Sequence, residues 1–151
     1  IEMALQIVRW YEMRWMIEQL FRLLKKQGLR IEDTELGYYQ SILKLTVMAF
    51  LTAFKVLQLV LARDQYDAQP IREVFNSEQQ QCLAVLNQKY QGNTQKQQNP
   101  YPRNQLSWAS WIIARIGGWK GYQTQRPAGP ITMKRGLEKF YNYFEAWKFF
   151  R

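Results

Sequence analysis

Six side chains near the start of the chain stand at spacings that bring them together on a helix: Tyr11, Arg14, Trp15, Glu18, Arg22 and Lys25. At about 100° per residue they share one arc of about 100°. That arc presents a single carboxylate, Glu18, framed by two arginines, a lysine, a tyrosine and a tryptophan. Arginine and lysine neutralise phosphates, and a tyrosine hydroxyl can donate a hydrogen bond to one. A lone glutamate among them would repel phosphate, unless it holds a divalent cation that reverses the local sign. The same residues also suit a solvated helix face laced by i,i+4 and i,i+7 ion pairs, so composition alone leaves two readings open.

Other chemistry is excluded by what the chain lacks. Its 151 residues include no His, which removes Ser-His-Asp and Cys-His catalysis, histidine-ligated zinc and imidazole acid–base work. The one cysteine, Cys82, permits no internal disulfide and no cysteine metal site. Its setting, Gln81-Cys82-Leu83-Ala84, reads as a packed helix position, and a reducing compartment such as the cytoplasm is expected. The chain begins with Ile1 and shows no cleavable signal pattern, so it reads as an internal fragment of a longer protein.

The charge is uneven. Lys and Arg number 21 against 12 Asp and Glu, a formal net charge of +9. Residues 1–40 balance at six basic and six acidic side chains, whereas residues 101–151 carry nine and two. Such an excess, interleaved with aromatics, points to a polyanion: nucleic acid or an anionic membrane surface.

The elements that must position these residues are nearly all helical. A first helix is expected over 3–27, stopped by Gly28, with Arg22, Lys25 and Lys26 favourably placed in its last turns. A polar connection over 29–37 leads to a long apolar helix over 38–63. A turn over 64–70 follows, then a short helix over 71–76 and another over 78–90, started by a Ser77–Gln80 capping box. Residues 91–105 read as a Gln- and Asn-rich linker. Ser107 is expected to cap a helix over 108–116 that ends at Gly117-Gly118, and Thr132 to cap a last helix running to about Phe150. The arc of the first helix opposite Glu18 holds Met13, Met16, Ile17, Leu20, Phe21, Leu23 and Leu24, a face expected to pack on a core. Between Leu45 and Ala62 of the second helix only Lys55 is charged. That length approaches a membrane span, but a central lysine costs roughly 2.5–3.5 kcal/mol on insertion, so a buried core helix is expected instead. On the last helix, Met133, Leu137, Phe140, Tyr141, Phe144, Tyr143, Trp147 and Phe150 spread over about half the circumference. That is wider than the ~100° stripe a surface helix needs. The width fits either a deeply buried helix or one that also meets a partner subunit.

Two blocks carry a family resemblance. Tyr11, Arg14, Glu18 and Lys25, separated by two, three and six residues, reproduce the Tyr-Arg-Glu-Lys signature, and the stretch Tyr11–Arg22 resembles the Tn-five type branch of the bacterial IS-four family of DDE transposases. Trp111-Ile112-Ile113-Ala114-Arg115-Ile116-Gly117-Gly118-Trp119, with Pro127-Ala128-Gly129-Pro130 and Arg135-Gly136-Leu137, resembles the helical C-terminal dimerisation region of the same branch. The resemblance covers about residues 4–150 and is loosest over 91–105.

What the resemblance implies is a mainly α chain made of the C-terminal helices of a ribonuclease H-like core followed by an all-helical dimerisation domain. Residues 1–63 would belong to the core, 64–90 to a helical connection, 91–106 to a polar linker and 107–151 to the dimerisation domain. Glu18 would be the third acid of a triad that binds two divalent cations, Mg²⁺ or Mn²⁺, for DNA strand cleavage and transfer. Tyr11, Arg14 and Lys25 would grip the phosphate backbone of the transposon end. Trp15 and Arg22 join them from the helical geometry alone. Leu137, Phe140, Phe144 and Trp147 would form the homodimer interface. The basic residues Lys120, Arg126, Lys134, Arg135, Lys139, Lys148 and Arg151 would touch double-stranded DNA across it. The family's two aspartates precede the glutamate, whereas Asp33, Asp64 and Asp67 follow Glu18. The chain alone is therefore expected not to cleave DNA. A bacterial cytoplasmic, nucleoid-associated location is the corresponding expectation. Three alternatives differ in function: a dimerising inhibitor left by a degraded element, an independent basic helical DNA-binding module, and a membrane-active helical protein.

Overall fold

The computed structural model describes residues 2–25, 29–63, 69–121 and 126–150. The expectations for Lys26, Gly28, Asp64, Asp67 and Arg151, and for most of the 64–70 turn, fall outside the described residues. The described residues form five α-helices and no strand: α1 (Glu2–Leu24), α2 (Tyr39–Arg63), α3 (Ser77–Tyr90), α4 (Leu106–Ile116) and α5 (Pro130–Phe149). The expected all-helical class is therefore present. Two compact units divide the chain, residues 1–57 and 58–151, so the segments expected as connection, linker and terminal domain all lie in the second unit.

The first unit is built from long uninterrupted helices. Residues 2–24 and 39–57 contain neither Gly nor Pro, so nothing breaks the backbone ladder. The hydroxyls of Thr46 and Thr52 donate to the carbonyls of Ile42 and Met48, each at 2.8 Å, which lets polar side chains sit on α2 without competing for its ladder. Burial is the surprise. Of the apolar arc expected to pack, only Leu23 is buried, at 1% exposed, while Met13, Ile17 and Phe21 are 44%, 54% and 53% exposed. The expected core-facing side of α1 is corrected accordingly. The described residues of this unit supply no sheet against which that stripe could close. α2 is half of what was expected. Ala49, Ala53, Val56 and Leu57 form a buried stripe, and Leu43, Val47, Phe50, Leu51 and Phe54 form an exposed one. Among the described residues α2 is the one helix long and apolar enough to cross a membrane.

The second unit is organised around α4. Every α4 residue except Arg115 is buried. The helix packs against α3, α5 and the short 3₁₀ turn at Ile71–Glu73. The hydroxyl of buried Ser110 donates to the Leu59 carbonyl at 2.6 Å, pinning α4 to the last turns of α2 that belong to the same unit. The aromatic side of the core joins α5 to the segment before α3. Phe75 meets Phe140 edge-on at 5.5 Å between centroids, and Phe140 stacks on Phe144 at 6.1 Å.

Local starts differ from the expected ones for identifiable reasons. The expected helix over 71–76 shrinks to one 3₁₀ turn, because Asn76 leaves the helical region (φ −69°, ψ 172°) to cap α3. Its side chain accepts from the Gln79 amide at 2.9 Å, and the Gln79 side chain accepts from the Asn76 amide at 3.0 Å. The capping box is real but lies one residue before the Ser77–Gln80 pair. Ser107 is not a cap. Its place is taken by main chain, since the Leu106 amide donates to the Gln69 carbonyl at 2.8 Å beside a Pro70–Gln105 bridge. Thr132 is not a cap either. Pro130, with φ already set for a helix, starts α5 three residues earlier than a Thr132 cap would, after Gly129.

The Gln- and Asn-rich stretch over 91–105 is tied down. The Asn99 amide donates to the Asn87 side chain at 3.2 Å and to the Trp108 carbonyl at 3.0 Å, which clamps the stretch between α3 and α4. Arg115 does similar work at the other end. Its guanidinium donates from Nε and Nη2 to the Tyr90 carbonyl at 3.1 and 3.0 Å, and from Nη1 to the carbonyls of Trp119 and Lys120. It also lies 5.5 Å over the Trp111 ring. A cation is thus held by carbonyl dipoles at the C-terminal end of α3 rather than by an acid. Arg115→Gln is expected to lower the stability of this unit by about 2–3 kcal/mol, seen as a lower urea midpoint at unchanged slope.

Candidate functional site

The Glu18 face of α1 forms as the spacing predicts, because the helix runs unbroken through it. Tyr11 is 72% exposed and Trp15 45%, and the Arg14, Glu18 and Arg22 side chains also stand in solvent. Arg14 Nε donates to Glu18 Oε1 at 3.1 Å, one turn away. This is an exposed i,i+4 pair, worth about 0.3–0.5 kcal/mol and screened by salt, so it holds the two groups loosely and leaves both available.

Lys25 lies one residue beyond the last residue of α1, although its amide still donates to the Phe21 carbonyl at 2.9 Å. Its ammonium reaches Glu32 at 3.4 Å, in the 3₁₀ turn at Ile31–Asp33. The turn is entered through Arg30 in the left-handed region (φ 53°), whose guanidinium forms a loose ion pair with Asp33 at 3.9 Å. Asp33 is therefore paired with Arg30 and stands in the turn after α1. The structure brings Arg14 and Glu18 together, and gives Lys25 a second acid that the helical wheel did not suggest.

The donor set does not make a metal centre by itself. Among the described residues no group of three or more His, Cys, Asp or Glu side chains comes together. Glu18 faces the Arg14 guanidinium rather than a second acid. One carboxylate is too few for a divalent cation that takes six or more oxygens, and the residues present do not fit a two-cation site.

The expected dimer residues are placed differently. Leu137, Phe140 and Phe144 are 2%, 0% and 6% exposed within the single chain. They are the stripe by which α5 packs on its own unit, so they cannot present their side chains to a partner. Trp147 is half-buried and stacks on Phe144 at 6.2 Å. Exposed aromatic surface comes instead from Tyr143 and Phe149 of α5 and from Phe150 just after it. The basic residues also sort themselves. Lys134 pairs with Glu138 at 2.8 Å and Lys148 with Glu145 at 2.9 Å, while Lys120, Arg126, Arg135 and Lys139 are exposed.

One cluster had no signal in the sequence. The Tyr90 and Tyr143 hydroxyls meet at 3.1 Å across 53 residues, and Lys89 Nζ lies 6.0 Å over the Tyr143 ring. Burial first, then the hydrogen bond and charge of Tyr143, push Tyr90 up to about 12 from 10.0. The folded state favours the neutral phenol. Its contribution is therefore complete below pH 10 and is lost as the pH rises from 10 to about 12. The urea midpoint is expected to fall across that window more steeply in the wild type than in Tyr90→Phe. Cys82, 1% exposed, is pushed up by burial as well, consistent with a packing role.

Comparison with protein-family models, with curated proteins and with solved structures finds no match.

Proposed function

We propose that the chain is the catalytic-helix and C-terminal portion of a cut-and-paste DNA transposase, and that α1 holds the phosphate backbone of the transposon end. The observation that carries the reading is the face of α1 itself. Tyr11, Arg14, Trp15, Glu18 and Arg22 are all exposed on one helix, with the Arg14 guanidinium 3.1 Å from the Glu18 carboxylate. Arg14 and Lys25 would neutralise phosphates, Tyr11 would donate to one, and Trp15 would pack against the sugar or a base. Glu18 is the acid that would meet the cations of the whole enzyme together with two aspartates this chain does not supply.

The finer fold reading, that α1 and α2 are helices of a ribonuclease H-like core, is supported by their bare apolar stripes. Helices that lie on a sheet bury such stripes against it. The exposed Ile17, Phe21, Val47, Phe50, Leu51 and Phe54 are of the kind that such a sheet would cover. The same α-helical second unit would supply subunit contacts through the exposed aromatics of α5 rather than through Leu137, Phe140 and Phe144.

The test is binding of the chain to duplex DNA in chelator. Arg14→Gln with Lys25→Gln is expected to reduce the magnitude of the salt slope by about 2, at ~0.9 per phosphate contact. Glu18→Gln is expected to raise affinity about three- to sixfold, because one like charge repels a phosphate by ~0.6–1 kcal/mol across about 4–7 Å of water. Unchanged binding in both variants would sink the reading.

A further inference from the structure

We propose that Glu32 is a built-in competitor of DNA phosphate: in the free chain it holds the Lys25 ammonium, and duplex DNA must displace it to reach that cation. The proposal rests on the DNA-binding reading above and adds an autoinhibitory contact to the same site.

The contact is made by the turn after α1 and not by the helix. Lys25 and Glu32 are seven residues apart in sequence, yet Nζ and Oε1 stand at 3.4 Å. Lys25 lies one residue past the end of α1, and Glu32 lies in the 3₁₀ turn at Ile31–Asp33. Main-chain hydrogen bonds fix the return of the chain. The Leu29 amide donates to the Leu23 carbonyl at 2.6 Å, and the Arg30 amide to the Lys25 carbonyl at 3.2 Å. Leu23, 1% exposed, anchors that end of α1. Arg30 is the one non-glycine residue with positive φ among the described residues. A side chain disfavours that conformation, so the flanking bonds must hold it. Asp33 is taken up by Arg30 at 3.9 Å, which leaves Glu32 as the acid of the turn that faces Lys25.

Both cations assigned to phosphate are therefore engaged in the free chain, by acids of different kinds. Arg14 is held by Glu18 of its own helix at 3.1 Å. Glu18 has a second role in the reading above, as a cation-binding acid. Glu32 has none, since it belongs to no group of three metal-binding side chains among the described residues. Lysine suits the exchange, because its ammonium is a compact charge on a flexible stem and can swing from carboxylate to phosphate. The two side chains are 59% and 52% exposed, so water screens the pair and keeps it reversible. Once phosphate takes Lys25, Glu32 stands as an unpaired anion beside the DNA backbone and opposes binding.

The experiment is a double-mutant cycle. Binding of the full chain to a fluorescein-labelled random-sequence DNA duplex is followed by anisotropy in chelator at low salt. Glu32→Gln is expected to tighten binding, and to do so about two- to fivefold more in the wild type than in a Lys25→Gln background. The excess measures the pair that binding breaks. Asp33→Asn makes the same charge change on the acid that faces Arg30, and is expected to show no such excess. An equal gain in both backgrounds, or an equal excess for Asp33→Asn, would overturn the proposal. Weaker binding by Glu32→Gln would overturn it too, as the mark of an acid that positions Lys25 for phosphate. If Lys25→Gln weakens binding but Glu32→Gln shows no excess, the competitor fails and the proposed function stands. If Lys25→Gln leaves binding unchanged, both the competitor and the place of Lys25 in the proposed function fail.

Discussion

Phe140→Ala is expected to destabilise the second unit by about 3–5 kcal/mol. Phe140 is fully buried, edge-on to Phe75 at 5.5 Å and stacked on Phe144 at 6.1 Å. Removing the ring leaves a cavity walled by two aromatic side chains anchored on different elements, which cannot both move in to fill it. With domain stabilities of about 5–15 kcal/mol, such a loss takes a large share of the whole. Leu137→Glu acts at the same stripe and adds a buried unpaired charge, so it is expected to unfold the unit outright. Urea denaturation of the dilute chain decides the matter. A midpoint that stays put while sedimentation shifts toward a smaller species would return these residues to a subunit interface. A midpoint that falls at every concentration places them in the core, where their exposures of 0–6% put them.

Gly136→Val is expected to be of comparable effect, through the opposite fault. A Cβ built at Gly136 runs into the carbonyl oxygen of Ile113. That oxygen accepts the Gly117 amide at 2.9 Å, so it belongs to the end of α4 and cannot swing aside. Gly117 has the matching constraint, with a Cβ there meeting the carbonyl of Thr132 on α5. The two glycines thus let the backbones of α4 and α5 approach where they cross. Overfilling a contact costs about 1–3 kcal/mol when side chains can give, and more when only backbone is available. Gly136→Ala is expected to lose about 2 kcal/mol despite the better helix propensity of alanine, and the valine variant to unfold. Gly37→Ala, where a methyl group would meet open space, is the control and should leave the midpoint unchanged. A Gly136→Ala protein as stable as wild type would mean that the helices cross elsewhere.

These two results also show where sequence reasoning works and where it stops. The Gly117 and Arg135-Gly136-Leu137 signals were visible as a motif, but not as a reason. Pairing glycines nineteen residues apart requires knowing that α4 and α5 cross there. Similarly, the aromatic breadth of α5 was legible, but the partner of each aromatic was not. Periodicity tells which residues share a face, and gives no information on what that face meets. The stripe expected at a dimer interface closes on Phe75, a residue 65 positions earlier. The same limit produced the opposite outcome on α1. Its apolar arc has core periodicity, yet Ile17 and Phe21 are about half exposed because the described first unit offers no layer to cover them.

What the sequence determined by itself is local. The five helices, their order, the Glu18 face and the balance of charge follow from periodicity, from the absence of Gly and Pro within α1 and α2, and from composition. Each depends on neighbours a few residues apart, where backbone geometry fixes the outcome. What only the tertiary structure decided is every role that depends on distant neighbours. Arg115 turned from a motif letter into a clamp on the Tyr90 carbonyl, and Asn99 from linker composition into a tie between α3 and α4. Main chain from residue 69 replaced the expected serine cap of α4. Leu137, Phe140 and Phe144 moved from partner surface to core. Hydrogen bonds and apolar contacts act over a few ångströms, and chain distance does not report which residues lie within that range.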